Sequence, residues 1–332
     1  MTVQPLDVIG FGNAIVDVIS RSEETFLASH GMQKGAMTLI DEARAETVYG
    51  AMGPGVEISG GSAANTMVGI AALGGRGGFV GKVRDDELGG IFAHDIRAAG
   101  VAYATPAATA GPATARCLIL VTPDGERTMN TYLGAAQDLS PADVDETAVA
   151  LAGVTYLEGY LWDPPAAKEA FLKASGIAHA NGRTVALTLS DAFCVGRYRA
   201  EFLDLMRSGV VDLVFANEAE LTSLYETGFD AALAAIRGDV TRAVVTRSEK
   251  GALAVCGDDL VAVPAHPVAK VVDTTGAGDL FAAGYLHGFA KGFSPEESLK
   301  LGALCASEII SHIGARPEKA LKELAREQGL RV

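Results

Sequence analysis

The chain has 332 residues, 49% hydrophobic and 20% charged, which suits one large domain, or one domain with a small lobe, and excludes a disordered chain. Its 41 acidic against 27 basic side chains leave a net charge of −14, a field that repels phosphate backbones; with no basic patch to offset it, nucleic acid is excluded as a partner. The 39 glycines and 6% aromatics point to tight turns and to helices packed through small residues.

The N-terminus, Met1 to Asp7, lacks a basic region followed by a long apolar one, so no secretory leader is expected. No stretch approaches the ~20 apolar residues that span a bilayer. Cys117, Cys194, Cys256 and Cys305 lie far apart, with no Cys-x-x-Cys and no histidine at zinc spacing. The expectation is a cytoplasmic chain without membrane contact, its cysteines acting as small buried hydrophobes.

In chain order, apolar runs predict buried strands at Val8–Gly12, Gly78–Val80, Val154–Leu157, Thr184–Leu189, Val211–Phe215 and Ala243–Thr246. Helical stretches fall between them, including Ala63–Leu73, Asp86–Ala99, Ala166–Ala180 and Leu280–Ala290. Ser294-Pro295-Glu296-Glu297 sets a cap, a first-turn proline and a capping-box glutamate in register, and Ser140-Pro141 is read the same way for the helix before Val154. The alternation predicts an α/β fold with a mostly parallel sheet.

Two segments break it. Short β runs at Ile15–Ser20, Ala36–Ile40 and Val56–Ile58 surround two short polar helices, and Cys117–Val121 and Arg127–Leu133 flank the turn Thr122-Pro123-Asp124-Gly125-Glu126. Links this short cannot feed a parallel sheet. They predict a small second sheet, a lid, built from insertions at about 14–59 and 115–134.

The strongest motif is Val272-Asp273-Thr274-Thr275-Gly276-Ala277-Gly278-Asp279-Leu280-Phe281, running into a small-residue helix. Gly276, Ala277 and Gly278 set backbone N–H groups at a helix N-terminus, an anion hole suited to a phosphoryl group. Asp279, in the first turn, is placed to accept the proton of an attacking hydroxyl. A second motif, Ile58-Ser59-Gly60-Gly61-Ser62-Ala63-Ala64-Asn65-Thr66, puts a glycine pair before a helix and Asn65 one turn inside it, offering donor and acceptor to sugar hydroxyls; alone it is also an ordinary helix start. Gly10-Phe11-Gly12-Asn13-Ala14-Ile15 lacks the third glycine of a dinucleotide fingerprint, and Gly81-Lys82-Val83 lacks the remainder of a Walker loop.

These two strings, with Gly81-Lys82-Val83-Arg84-Asp85-Asp86-Glu87-Leu88-Gly89 between them, resemble the signatures of the ribokinase-like (PfkB-type) carbohydrate kinases, in the same order and over nearly all of the chain. Within that family the adenosine kinases are most similar, through Gly10 to Asp17, the lid stretch Phe26 to Met52, and Tyr156-Leu157-Glu158-Gly159-Tyr160. The resemblance implies a three-layer α/β/α kinase domain over residues 1–332 with a small β lid. It makes Asp279 the catalytic base and Gly276, Ala277 and Gly278 the anion hole. Asp17, Gly60, Gly61 and Asn65 would hold the acceptor, with Asn13 nearby, and Arg127 would swing toward the transferred phosphate. Asn217, Thr246, Gly251 and Gly278 would meet ATP. Glu220, from Asn217-Glu218-Ala219-Glu220, would organise Mg²⁺ through water, and Asp273 and Thr275 would hold a monovalent cation such as K⁺. Without the rest of the pattern, Asn217 and Glu220 read as a helix start followed by a solvated acidic run.

Three positions depart from the family. Met37 stands where adenosine kinases tend to carry a purine-facing glutamine; Leu161 stands where an aromatic would stack on the base, beside Trp162 and Tyr160; Ser248 replaces a common glycine. The expected activity is ATP-dependent phosphorylation of a primary hydroxyl on a ribose-like acceptor, adenosine first, with Met32, Met37 and Leu39 lining the base pocket. The alternatives are a free sugar (ribose, fructose or a keto-deoxy sugar acid) and a non-catalytic nucleoside- or sugar-binding regulator. Either a monomer or a homodimer is compatible with such a lid.

Overall fold

The computed structural model describes residues 5–332; residues 1–4, part of the stretch read for a leader, lie outside it. The chain runs β1 (Val8–Phe11), β2 (Ile15–Arg21), α1 (Glu24–Ser29), β3 (Met37–Leu39), α2 (Glu42–Ala51), β4 (Gly55–Gly60), α3 (Ser62–Ala72), β5 (Gly77–Val80), α4 (Glu87–Ala98) and β6 (Ala102–Tyr103). It continues through β7 (Ala115–Val121), β8 (Arg127–Tyr132), α5 (Glu146–Leu151), β9 (Val154–Glu158), α6 (Pro165–Ala180), β10 (Thr184–Thr188), α7 (Ala192–Arg207), β11 (Leu213–Asn217), α8 (Glu218–Tyr225) and α9 (Phe229–Asp239). It closes with β12 (Arg242–Thr246), β13 (Ala252–Cys256), β14 (Asp259–Val263), α10 (Ala277–Ala290), α11 (Pro295–Ile309) and α12 (Leu321–Glu327).

Nine strands form the main sheet in the order β14-β13-β12-β11-β10-β9-β1-β5-β6, parallel except for β13, which is antiparallel to both neighbours. Side-chain alternation divides each central strand between two cores. Val8, Tyr156, Ala186, Leu213 and Val244 face one, with α3, α10, α11 and α12; Ile9, Leu157, Val185, Val214 and Val245 face the other, with α6 to α9. Such strands, covered on both faces, read as unbroken apolar runs, which is why the sequence locates them. Helices α10 and α11 pack at Gly284 and Gly302, where a Cβ on Gly284 would lie 2.7 Å from Gly302 Cα.

The predicted second sheet is present, ordered β3-β8-β7-β2-β4. It is mixed: β7 and β8 form the expected antiparallel hairpin, while β2 pairs in parallel with β7 and β3 with β8. Two expectations change. Ser140 does cap, with a reciprocal Asp143 box, but it opens a single 3₁₀ turn; α5 then restarts on its own cap, Asp145. The antiparallel hairpin of β13 and β14 interrupts the strand–helix alternation read from the sequence. No helix among the described residues is long and apolar enough to cross a membrane.

Candidate active site

Parallel pairing brings the C-terminal ends of neighbouring strands to one edge of the main sheet, where open α/β folds bind ligands. There lie Asn13 after β1, Glu158 ending β9, Asp191 after β10, Asn217 ending β11 and Thr246 ending β12. Two of the residues leaving these strands, Ser190 (φ 72°) and Ser248 (φ 52°), hold left-handed backbone that side chains rarely adopt. The Ser248 angle is one that glycine adopts without strain, which fits the glycine the family resemblance implies there.

Helices α3 and α10 begin side by side at this edge. Asp279, in the first turn of α10, accepts hydrogen bonds from Ser62 Oγ (2.6 Å) and Asn65 Nδ2 (3.0 Å) of α3. Burial pushes its carboxyl above the ordinary aspartate value, while the bonds from Ser62 and Asn65 and the charge of Arg316 oppose the rise. Gly276 caps α10 in left-handed backbone (φ 78°), and a Cβ there would lie 2.8 Å from Ala315 Cβ, so glycine is required twice over. The Ala277 N–H donates to the Thr274 carbonyl at 3.2 Å. The N–H groups of Gly276, Gly278 and Asp279 are without a partner among the described residues, and they are the donors left for an anion.

Beside Asp279, the buried Glu158 accepts from Asn13 N (3.1 Å), Asn13 Nδ2 (2.7 Å) and Ala63 N (2.8 Å). Burial raises its carboxyl to about 7. Both Asn13 and Asn65 spend their amide nitrogens on carboxylates, and both leave the side-chain oxygen buried without a partner. A buried acceptor without a donor is costly, and it marks where a ligand's O–H or N–H belongs. The Asp17 carboxylate, on β2, accepts no hydrogen bond among the described residues; burial raises it to about 6 against the charges of Arg316 and Arg127. Any side chain at Gly60 would strike the Asp17 carboxylate, and one at Gly61 (φ 97°) the Asn13 carbonyl.

Arg127 opens β8 and reaches down to the main domain. Its Nη1 lies 2.8 Å from Asp273 Oδ2 and 3.0 Å from Thr275 Oγ1, and its Nη2 is buried without a partner. Asp273 also accepts from Thr275 N (3.0 Å), Thr275 Oγ1 (2.8 Å) and Gly314 N (2.9 Å). Four donors saturate that carboxylate, one of them a guanidinium. With Arg127 so placed, the side chains of Asp273 and Thr275 do not fit a monovalent cation.

The β11–β12 end is self-satisfied. Asn217 Oδ1 accepts from Glu220 N (2.8 Å) while Glu220 accepts from Asn217 N (3.0 Å) and Nδ2 (2.5 Å), a closed capping box. Burial, with the Asp191 carboxylate nearby, raises Glu220 to about 7. Arg247 and Lys250, in the loop after Thr246, both reach Glu218, and Gly251 (φ 86°) packs so closely on the Val263 carbonyl that no Cβ fits. Among the described residues no three His, Cys, Asp or Glu side chains converge as a metal cage.

Register settles which small-sheet residues look into the cleft. Leu39, Thr131, Cys117, Asp17 and Ile58 form one row across the sheet, and Met37, Met129, Ile119, Ile19 and Val56 form the next on the same face. Met37 and Leu39 are therefore on the Asp17 face, and both are exposed. Met32 is not: it packs behind the sheet, where Asn130, on the opposite face of β8, meets its sulfur. Leu161 and Trp162 are buried, Trp162 against Phe171 and Phe202 with its N–H on Glu201, so neither is available to stack on a base. Tyr160, 37% exposed and within the field of Asp191, Asp279 and Glu220, is.

Ser62, Glu158 and Arg316 were not singled out from the sequence. The first two lie inside the quoted strings, next to residues that were. Arg316 lies in a loop with no spacing pattern to mark it.

Residues 37–321 match the model of the pfkB family of carbohydrate kinases. The structure is similar to a probable sugar kinase from Rhizobium etli (TM-score 0.93, 55% identity, covering 99% of this chain and 100% of that one). It is equally similar to an adenosine kinase from Sinorhizobium meliloti (TM-score 0.91, 56% identity, covering 98% and 100%). A rice (Oryza sativa) fructokinase-1 is 29% identical over 79% of this chain and 85% of its own length. Free N–H groups at a helix start, a carboxylate beside them and a family match over most of the chain agree: the chain belongs to the pfkB family of carbohydrate kinases, phosphotransferases with an alcohol group as acceptor.

Proposed function

We propose that this kinase transfers the γ-phosphoryl group of ATP to the 5′-hydroxyl of a ribonucleoside, adenosine first. The observation that carries this reading is an amphipathic surround. Asp17 and the unpartnered oxygens of Asn13 and Asn65 offer acceptors to sugar hydroxyls, and on the same face as Asp17 lies an apolar row in which Met37 and Val56 are exposed. A ribose wants the first and a purine face the second. The similarity to the Sinorhizobium adenosine kinase supports it.

In this reading residues 1–332 form one kinase domain, and the small sheet is a lid that excludes water from the transfer. Asp279 orients the acceptor hydroxyl and takes its proton as the bond to phosphorus forms. The free N–H groups at the start of α10 receive the transferred group's oxygens, and Arg127, with one N–H unspent, supplies positive charge from the lid. Asn217, Thr246, Gly251 and Gly278 border the ATP. Glu220, with the Asp191 carboxylate nearby, would hold magnesium through water, and the metal would supply neutralisation of phosphate charge.

A free-sugar acceptor is the second reading, favoured by the commitment of Trp162 to the core and the similarity to a fructokinase. Initial rates of ADP release with adenosine, inosine, guanosine, ribose, fructose and 2-keto-3-deoxygluconate decide between them. Adenosine should lead ribose by at least about tenfold in kcat/KM, since base contacts of ~1–3 kcal/mol are otherwise unused. A free sugar that equals adenosine ends the nucleoside reading; silence from every acceptor would favour a binding regulator.

A further inference from the structure

The loop between α11 and α12 carries three consecutive residues that touch three different parts of the site. Gly314 N donates to Asp273 at 2.9 Å, Ala315 packs on the anion-hole residue Gly276, and Arg316 reaches the connection between β4 and α3. The loop is clamped for this. The buried Glu308 accepts from Glu318 N (3.1 Å), Lys319 N (2.9 Å) and His312 Nε2 (3.2 Å), fixing the backbone just beyond Arg316.

The Arg316 guanidinium donates from Nε to the Ser59 carbonyl (3.0 Å), from Nη2 to Ser59 Oγ (2.7 Å) and to the same carbonyl, and from Nη1 to the Ala64 carbonyl (3.4 Å). Ser59 is held from the other side by Asp95 of α4, which accepts from its N–H (2.9 Å) and its hydroxyl. Arg316 thus grips the residue before Gly60 and the residue before Asn65. Among the described residues no carboxylate takes its charge in a direct ion pair. The charge instead acts on three acids at once, Asp95, Asp17 and Asp279. The groups facing Asp279 are otherwise Ser62 and Asn65, the carboxyls of Asp17 and Glu158, and the phenols of Tyr156 and Tyr160. Among the described residues Arg316 is the cation acting on Asp279; Asp17 also feels Arg127.

We infer that Arg316 is a positioning residue of the phosphotransfer site: it ties Ser59, near the end of β4, to α3 and supplies the positive charge that keeps Asp279 and Asp17 ready to accept protons. The inference rests on the phosphotransferase family and not on the nucleoside reading. Removing the charge makes the Asp279 carboxylate harder to form, so the acid limb of the rate profile must move to higher pH.

Two variants separate charge from grip. Arg316→Gln keeps a donor for Ser59 without charge, and Arg316→Lys keeps charge without the fork. Both full-length variants are assayed with ATP and adenosine across pH, with ribose as acceptor should adenosine not be turned over, so failure of the nucleoside reading leaves this test intact. In Arg316→Gln the acid limb of kcat should rise by about one pH unit, and turnover at neutral pH should fall about tenfold, with the KM for ATP within about twofold. In Arg316→Lys the limb should stay at its wild-type position while the acceptor KM rises. An unmoved limb in a folded Gln variant overturns the inference, whatever the loss of rate. Should the Gln variant fail to fold, the Lys variant decides alone, because a limb displaced upward despite the retained charge overturns it equally.

Discussion

The two halves of the cleft treat their polar groups in opposite ways. At the β11–β12 end the charged and amide side chains pair within their own chain: Asn217 with Glu220, Arg247 and Lys250 with Glu218. At the β1–β9 end Asn13 and Asn65 keep buried oxygens without donors, and the Asp17 carboxylate accepts no hydrogen bond among the described residues. In the proposed reading the first half offers its backbone to the nucleotide, and the second is completed by the acceptor's hydroxyls. Unmet acceptors cost folding energy, so their presence is a statement about the ligand rather than about stability.

The comparison is broken or sharpened most strongly at Asp279. Asp279→Asn retains size and hydrogen bonding to α3 but cannot take a proton, so kcat should fall by ~10²–10⁴ with acceptor affinity little changed. Single-turnover kinetics measure this; a near-normal rate removes Asp279 from proton transfer. Next is Asp17. Asp17→Ala should weaken acceptor binding by roughly 10–150-fold, the worth of a charge-assisted bond of ~1.5–3 kcal/mol. Because burial raises Asp17 to about 6, the wild-type enzyme should also lose acceptor affinity as pH falls through that value, and retain it above. Binding titrations between pH 5 and 8 follow the loss, and a flat profile would place the Asp17 charge outside recognition.

The self-satisfied half should respond through stability. Asn217→Ala opens the capping box and should cost about 0.5–2 kcal/mol of unfolding free energy, read by denaturant melts, with acceptor KM unchanged. A variant as stable as wild type would mean that α8 does not depend on that cap. The smallest effect contrasts the two faces of the lid. Met37→Ala should raise the adenosine KM by about three- to tenfold through lost apolar contact, whereas Met32→Leu should leave it within about twofold. Equal responses would undo the assignment of faces made from strand register.

How much of this was legible depended on whether local chemistry alone decided the outcome. Buried parallel strands and the Thr122–Glu126 turn announce themselves by composition, and the start of α10 by its glycines. Met32 did not, because the face on which a lid residue falls depends on a register known only once β3 and β8 are paired. Trp162 read as a spare aromatic until its ring was found packed on Phe171 and Phe202. Asp273 and Thr275 read as cation ligands because nothing in the chain order indicates that Arg127, on the far hairpin, lands on them. Arg316 acts by donating to backbone carbonyls, and carbonyls leave no trace in a sequence.

The parallel pairing of β2 with β7 joins Ile15 to Ala115, positions about a hundred residues apart. Closing a ladder of that separation meets a larger loop-closure entropy than the antiparallel pairing of β2 with β4, which joins Ile15 to Gly60. The strand that presents Asp17 is thus held on one edge by a near partner and on the other by a distant one. During synthesis on the ribosome the acceptor pocket cannot form until the hairpin of β7 and β8 has emerged. A nascent chain that ends before β7 would pair β2 with β4 alone, and the open edge of β2 would be exposed to chaperones and proteases.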